Sequence, residues 1–332
     1  MPNTTYGDIS PRTAAHAQSE LLERAMPDLC LEKFGQGKPV PTRSTKVTIF
    51  RRYERFPITP LALTEGVTPS ARQLTTTDIT ATLAQYGDRT VITDVINDTH
   101  EDPVLSEAVE VLSQQAAQMI ETVRFNILKA GTNVFYPGTA TARNQVVSPI
   151  SLAMQRKIVR SLKRQDGKKV TRVVRSTPSW GTEHVNAAYV CISHPDCESD
   201  IRDMAGFVPV ESYGSISPYE NEIGKVEEVR YVCSTIFEEW IDAGGLAATN
   251  STVSTGGTQA DVYPMFYVAQ NSYGIVPLKG KSAITPMVSN PKPSDSDPMA
   301  QRGHVAWKCY QTAAILNDAW FIRAEVAVSE LA

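Results

Sequence analysis

The sequence predicts a mixed α+β fold, and three observations carry that prediction. A long amphipathic helix, with apolar residues at helical spacing throughout, is read over residues 103–130. Two alternating runs, residues 46–56 and 75–87, read as antiparallel legs, and β-rich segments crowd the C-terminal half. Helices and strands do not alternate strictly, which argues against a doubly wound parallel sheet. The chain has 332 residues, 42% of them hydrophobic and 20% charged, enough for a large domain or two to three compact units.

Residues 1–45 read as an arm. The start is polar, and a short amphipathic helix follows with Ala14, Ala17, Leu21, Leu22 and Ala25. The stretch "LEKFGQGKPVPTRS" then has no periodicity and many turn residues. In "KVTIFRRYERF", residues 46–56, Val47, Ile49 and Tyr53 share a side with Arg51, while Thr48, Phe50, Arg52, Glu54 and Phe56 take the other. In "TTTDITATLAQYG", residues 75–87, Ile79, Ala81 and Leu83 oppose Thr80, Thr82 and Tyr86. The joining stretch "LALTEGVTPSARQL" is far too long for a tight turn and too poor in apolar residues to form a core. A two-stranded ribbon is marginal alone, so this one requires another surface.

The long helix opens with Asp102 as N-cap and Pro103 at its first position, and closes at Gly131. Its apolar residues recur at helical spacing from Val104 and Leu105 to Ile127 and Leu128, over about 28 residues and ~40 Å. A second helix is expected from Pro149 to Gln165. "HVNAAYVCISHP" reads as a buried strand, "CESDIRDMAGF" as a short helix, and residues 211–230 as an acidic loop. Strands are expected at 229–237 and in "VYPMFYVAQ". The β-rich end turns at Asn317-Asp318, with Trp320, Ile322, Ala324 and Val326 alternating outward.

The bulk numbers exclude several classes. A net charge of -4 gives no global field for nucleic acid, so any contact with it is local. The five cysteines are scattered and odd in number, which suits a reducing compartment rather than a disulfide framework. No leader pattern opens the chain and no apolar run is long enough to span a membrane, so a soluble, cytoplasmic product is expected.

Each chemical motif has a plainer reading. Asp94, Asp98, His100, Glu101 and Asp102 resemble a metal site, yet acids before a helix are favoured by its dipole, and no second His stands at ligand spacing. Cys191, His194, Asp196 and Cys197 lie at a strand end without a CxxC pair. "GIVPLKGKS", Gly274 to Ser282, nearly matches a phosphate loop, but the spacing is one residue too long and Pro277 removes a donor. No catalytic residue, metal or cofactor is assigned. The basic run holds Arg156, Lys157, Arg160, Lys163, Arg164, Lys168, Lys169, Arg172 and Arg175. It reads as a solvated helix face, as a contact to nucleic-acid phosphate, or as a partner for Glu211, Glu220, Glu222, Glu227 and Glu228 of another subunit.

Taken in order, several segments resemble the major capsid proteins of tailed bacteriophages, in the branch found in large short-tailed phages. They are "ELLERAMPDLCLEKFGQ", "IFRRYERF", "LALTEGVTPSARQLTTTDITATLAQYG", "ITDVINDTHEDPVLSEAVEVLSQQAAQ", "AGTNVFY", "YVCISHPDCESDIRDM" and "GHVAWKCYQTAAILNDAWFIRAE". The resemblance spans almost the whole chain; it is most specific in "LTEGVTP" and weakest at about 240–262 and 288–300.

It implies the fold shared by tailed-phage and herpesvirus shells: an N-terminal arm (1–45), an extended loop (46–87), a peripheral domain (88–148 and 271–332) with the spine helix 103–130, and an axial domain (149–270). It implies a non-enzymatic subunit that forms hexamers and pentamers of an icosahedral virion shell around double-stranded DNA, assembled in the host bacterial cytoplasm. A separate scaffolding protein and a portal are expected partners, since so short an arm leaves no room for a fused scaffold, and a decoration protein is a further candidate. Inter-subunit contacts are expected at Arg51, Arg52, Arg55, Leu63, Glu65, Gly66 and Pro69. Arg160, Lys163, Arg164, Lys168 and Lys169 form the candidate electrostatic or DNA-facing patch. Some shells of this fold are cross-linked through a lysine on the extended loop. No lysine lies between Lys46 and Lys129, so a non-covalent shell is expected. Two other readings stand beside this one: an encapsulin-type nanocompartment shell, and a metal-dependent hydrolase using Asp94, Asp98 and His100.

Overall fold

A computed structural model describes residues 29–60, 62–99, 104–174, 182–214, 217–247, 250–278, 285–289, 291–293 and 297–331. The expected arm helix over 14–25, His100, Glu101, the Asp102–Pro103 cap, Arg175 and the end of the phosphate-loop-like stretch, 279–282, lie outside the described residues.

The described helices are α1 (Leu31–Phe34), α2 (Asp94–Thr99), α3 (Val104–Lys129), α4 (Leu152–Arg164) and α5 (Glu198–Arg202). The spine helix α3 is the expected long helix, and Gly131 donates its N–H to the Leu128 carbonyl at its end. Residues 94–99, read from sequence as a capping loop, form α2 instead; Ile96 is fully buried against Leu112 and Trp307 and fixes the turn in place.

The main body is an eight-stranded sheet. Its path runs Val134–Phe135, Phe321–Val326, Tyr263–Val268, Thr182–Ser193, Val229–Cys233, Glu222–Val226, Phe207–Pro209, and Val170–Val174 pairs alongside Thr182–Ser193. Side chains alternate between its two faces. Tyr189, Cys191, Tyr231, Met265 and Ile322 point to a core with α4 and α5. Val190, Ile192, Val232, Phe266 and Phe321 point to a core with α1 and the end of α3. Both faces are therefore covered, which is why its central strands read as nearly continuous apolar runs.

Two expectations change here. Ile322, Ala324 and Val326 face the core, not outward, because a helix covers each side of their strand. The acidic stretch contains a strand, Glu222–Val226, because the buried Arg230 guanidinium neutralises Glu222. Strand pairing joins Val134–Phe135 and Phe321–Val326 to Tyr263–Val268 in the main sheet.

A smaller sheet joins Thr285–Ser289, Arg302–Gln311 and Ala84–Thr93, and the first half of α3 packs on it through Leu112, Ala116 and Ile120. The arm is docked over residues 29–40. Gln36–Gly37 pairs in parallel with Gly274–Ile275, and Val40 bridges Leu278. Glu121 of α3 accepts hydrogen bonds from the Cys30 and Leu31 N–H groups, so the spine helix supplies the cap that α1 lacks locally. Arg124 beside it bonds Glu32 at 2.9 Å.

Candidate inter-subunit surface

Val47–Tyr53 and Thr76–Thr82 form an antiparallel ribbon in continuous register, from Val47 opposite Thr82 to Tyr53 opposite Thr76. The expected leg 75–87 is two strands: the ribbon ends at Thr82, and residues from Ala84 onward pair with Arg302–Gln311. Leu83 is buried at the junction. One ribbon face carries Phe50, Ile79 and Ala81, which pack with Val40, Val276 and Ala314. The opposite face carries Val47, Ile49 and Tyr53, all exposed.

Beyond the ribbon the exposure grows. Phe56, Ile58, Leu63, Val67 and Leu74 are open to solvent, Ile58 at 86% and Leu63 at 74%. Leu61 lies outside the described residues. Exposed apolar side chains this concentrated mark an interaction site. The tip is a formed turn: the Val67 N–H donates to the Thr64 carbonyl, and Gly66 has φ +79°, where a Cβ would be strained. Glu65 and Pro69 are exposed beside it.

The arginines expected to reach a neighbour are occupied within the chain. Arg51 makes a bidentate pair with Asp78, both bonds 2.8 Å. Arg52 bonds Glu54, which also accepts from the Thr77 hydroxyl. Arg55 pairs with Asp166, just beyond α4. Asp78 stands across the ribbon, Glu54 two residues along the same leg, and Asp166 on the body beyond α4, so the three cations brace the ribbon through contacts of its own chain. Sequence reasoning singled out these arginines with Leu63, Glu65, Gly66 and Pro69; Tyr53, Phe56, Ile58 and Val67, which it did not name as contacts, are exposed beside them.

The basic run divides. Arg160, Lys163 and Arg164 come together on α4, where with Arg156, Val159, Glu227 and Glu228 they line a recess of about 440 Å³. Arg156 pairs with Glu227, while Lys163 and Lys169 both reach Glu228. Two of the acids that one of the three readings drew from another subunit are thus met within the same chain. The hydrogen bonds hold Glu227 and Glu228 below the ordinary carboxylate range and raise Lys163. Lys168 is exposed outside the recess, and its carbonyl accepts from the Gln270 N–H.

The other candidates have structural duties. Asp94 bonds the Val95 N–H at the start of α2. Burial pushes the Cys191 and Cys197 thiols well up, and the Asp196 carboxylate accepts from the Tyr263 hydroxyl. Among the described residues no cluster of His, Cys, Asp and Glu has the makings of a metal site. No described helix is long and apolar enough to cross a membrane.

No curated protein sequence matches the chain. Solved structures do. The capsid of Ralstonia phage GP4 superposes with a TM-score of 0.71 at 12% identity, covering 99% of this chain and 98% of that one. The head structure of Helicobacter pylori bacteriophage KHP40 gives 0.63 at 10% identity over 99% and 98%. The capsid of cyanophage P-SCSP1u gives 0.62 at 12% over 96% and 94%. At such identities the likeness establishes the fold, here that of tailed-phage capsids. The sequence model described as phage capsid protein matches residues 76–324. With most of the chain inside that match, and a shell fold around an unburied ribbon, the chain belongs to the phage capsid protein family and is a structural subunit of the virion shell, not an enzyme.

Proposed function

We propose that this subunit assembles into hexamers and pentamers that close an icosahedral shell around a double-stranded DNA genome, each ribbon lying over an adjacent subunit. The observation that carries the reading is the ribbon itself: ordered strands, one face seated on the body, the other face and the tip apolar and uncovered. Leu63, Glu65, Gly66 and Pro69 make the contact, and Arg51, Arg52 and Arg55 hold the ribbon in shape for it. The eight-stranded sheet with α4 and α5 serves as the axial domain. The spine helix and the three-stranded sheet it covers serve as the peripheral domain. Docking of residues 29–40 on the subunit's own body makes the arm part of the building block. A separate scaffolding protein and a portal complete assembly in the host bacterial cytoplasm, and a decoration protein is a further candidate partner. With no lysine on the ribbon, the shell holds without a cross-link there.

Electron microscopy of the purified protein, alone and with its neighbouring genes co-expressed, tests this. Closed shells or five- and six-membered rings are expected, with double-stranded DNA as the cargo of mature particles. Dispersed monomers under both conditions would overturn it.

A further inference from the structure

Between Arg51 and Asp78 every charged residue but one has a partner in the chain. Arg51 holds Asp78, Arg52 holds Glu54, Arg55 holds Asp166, and Arg72 donates to the Pro57 carbonyl at 2.7 Å. Glu65, on the formed turn at the tip, has none among the described residues. Exposed apolar side chains, Leu63 and Val67, flank it.

The α4 recess shows the reverse pattern. Arg156 and Lys163 are taken by Glu227 and Glu228. Arg160 and Arg164, one helical turn apart and on one face, line the recess without a carboxylate partner among the described residues. Val159 gives the recess an apolar wall.

We propose that the Leu63–Val67 turn of one subunit seats in the α4 recess of a neighbouring copy, with Glu65 accepting charge-assisted hydrogen bonds from Arg160 and Arg164. This deepens the shell reading and rests on it. Two guanidinium forks side by side suit a carboxylate. The flanking Leu63 and Val67 then cover Val159 and the aliphatic stems of the arginines. A phosphate backbone fits less well, because it brings no apolar group to cover the wall at Val159, as Leu63 and Val67 do. Since tip and recess are different surfaces of one chain, the contact is heterologous, the kind that closes into rings when the rotation permits.

Charge reversal and its repair test the contact. Glu65→Lys, Arg160→Glu with Arg164→Glu, and all three together are expressed under the conditions in which the wild type assembles. Each partial reversal is expected to cut sedimentable particles about tenfold or more, with the melting of the subunit unchanged, and the combination is expected to restore a substantial part. Normal assembly of either partial variant, or no recovery in the combination, overturns the proposal. A second readout does not need shells. A synthetic peptide of residues 56–74 is expected to bind the unassembled full-length chain and to lose about tenfold in affinity on Arg160→Glu with Arg164→Glu. If the wild type forms no particles but the peptide binds in this way, the shell reading fails and the contact stands. If wild-type particles form and the peptide does not discriminate, the contact fails and the shell reading stands. Loss of duplex-DNA binding in the double variant with assembly intact would reassign the recess to phosphate.

Discussion

The ribbon and the eight-stranded sheet are built from the same β-type residues, yet they solve the problem of burial differently. Tyr263–Val268 and Phe321–Val326 are buried along their whole length, because helices cover both faces of their sheet. Val47–Tyr53 and Thr76–Thr82 have one face against Val40, Val276 and Ala314 and leave Val47, Ile49 and Tyr53 in solvent. Hydrophobic burial scales with the area removed from water, so the sheet is complete in one chain and the ribbon is not. Mutations in the two regions should therefore report on different equilibria: folding of the subunit for the sheet, association for the ribbon.

The largest effect is expected in the sheet. Phe266 packs on Phe125, Phe237 and Phe321 with ring centroids 4.9–5.6 Å apart. Phe266→Ala removes the centre of that cluster and should cost about 3–5 kcal/mol. Denaturant unfolding of the isolated subunit measures it directly. A loss under about 1 kcal/mol would mean that this face of the sheet is not the folding core.

Next comes the clamp that holds the arm to the spine helix. Glu121 is 1% exposed and carries the Cys30 and Leu31 N–H groups, with Arg124 3.6 Å away. Burial pushes its carboxyl up, the opposing pull of Arg124 notwithstanding. Glu121→Ala leaves Arg124 buried with only Glu32 as counter-charge and should cost about 3 kcal/mol. Limited proteolysis should then cut between Leu31 and Val40 while the eight-stranded sheet stays protected. Equal protection of the arm in wild type and variant would show that strand pairing with Gly274–Ile275 suffices to hold it.

These two sites also show what the sequence could and could not say. The spine helix was legible because its apolar period persists from Val104 to Leu128, and the ribbon because its polar–apolar alternation leads into a tip with no core of its own. Glu121 and Arg124 were not legible. Charges in the middle of an amphipathic helix read as solvated, and nothing local reveals that an arm about 90 residues away in sequence will bury them. Glu222 misled in the same way: its partners Arg230 and Tyr213 enclose a charge that the composition of the segment assigned to a loop. For the arginines of the ribbon, residue type was visible in the sequence and register was not. Only once Arg51 stands opposite Asp78 is the cation accounted for.

The ribbon tip gives the third prediction. Replacing Ile58, Leu63 and Val67 together by Ser should move the stability of the isolated subunit by no more than about 0.5 kcal/mol, since none of the three is covered within the chain. Assembly should suffer much more. Each side chain buried at an interface contributes about 1.5 kcal/mol, roughly tenfold in association. Light scattering against subunit concentration measures the shift. An unchanged concentration threshold for assembly would remove the ribbon tip from the interface.

The smallest effect concerns pH and separates the two regions without mutation. Hydrogen bonds from Arg51 hold Asp78 below its ordinary value of 3.8, and Thr77 with Arg52 hold Glu54 below 4.5. A depressed carboxylate stabilises the folded form above its ordinary pKa and loses that contribution as pH falls through the depressed value. The ribbon should therefore keep its protection from about pH 7 to pH 5 and begin to fray below about pH 4, when these acids take up protons. Both pairs are exposed, so the change is local and screened by salt. The strands Tyr263–Val268 and Phe321–Val326 carry the buried Glu325, paired with Arg143 and Arg323, but most of their hold is apolar, and they should outlast the ribbon through that window. Amide exchange corrected for its intrinsic pH dependence resolves the two. If Asp78→Asn left the acid fraying of the ribbon unchanged, the Arg51–Asp78 pair would not be what braces it, and the apolar face at Phe50 and Ile79 would have to hold the ribbon alone.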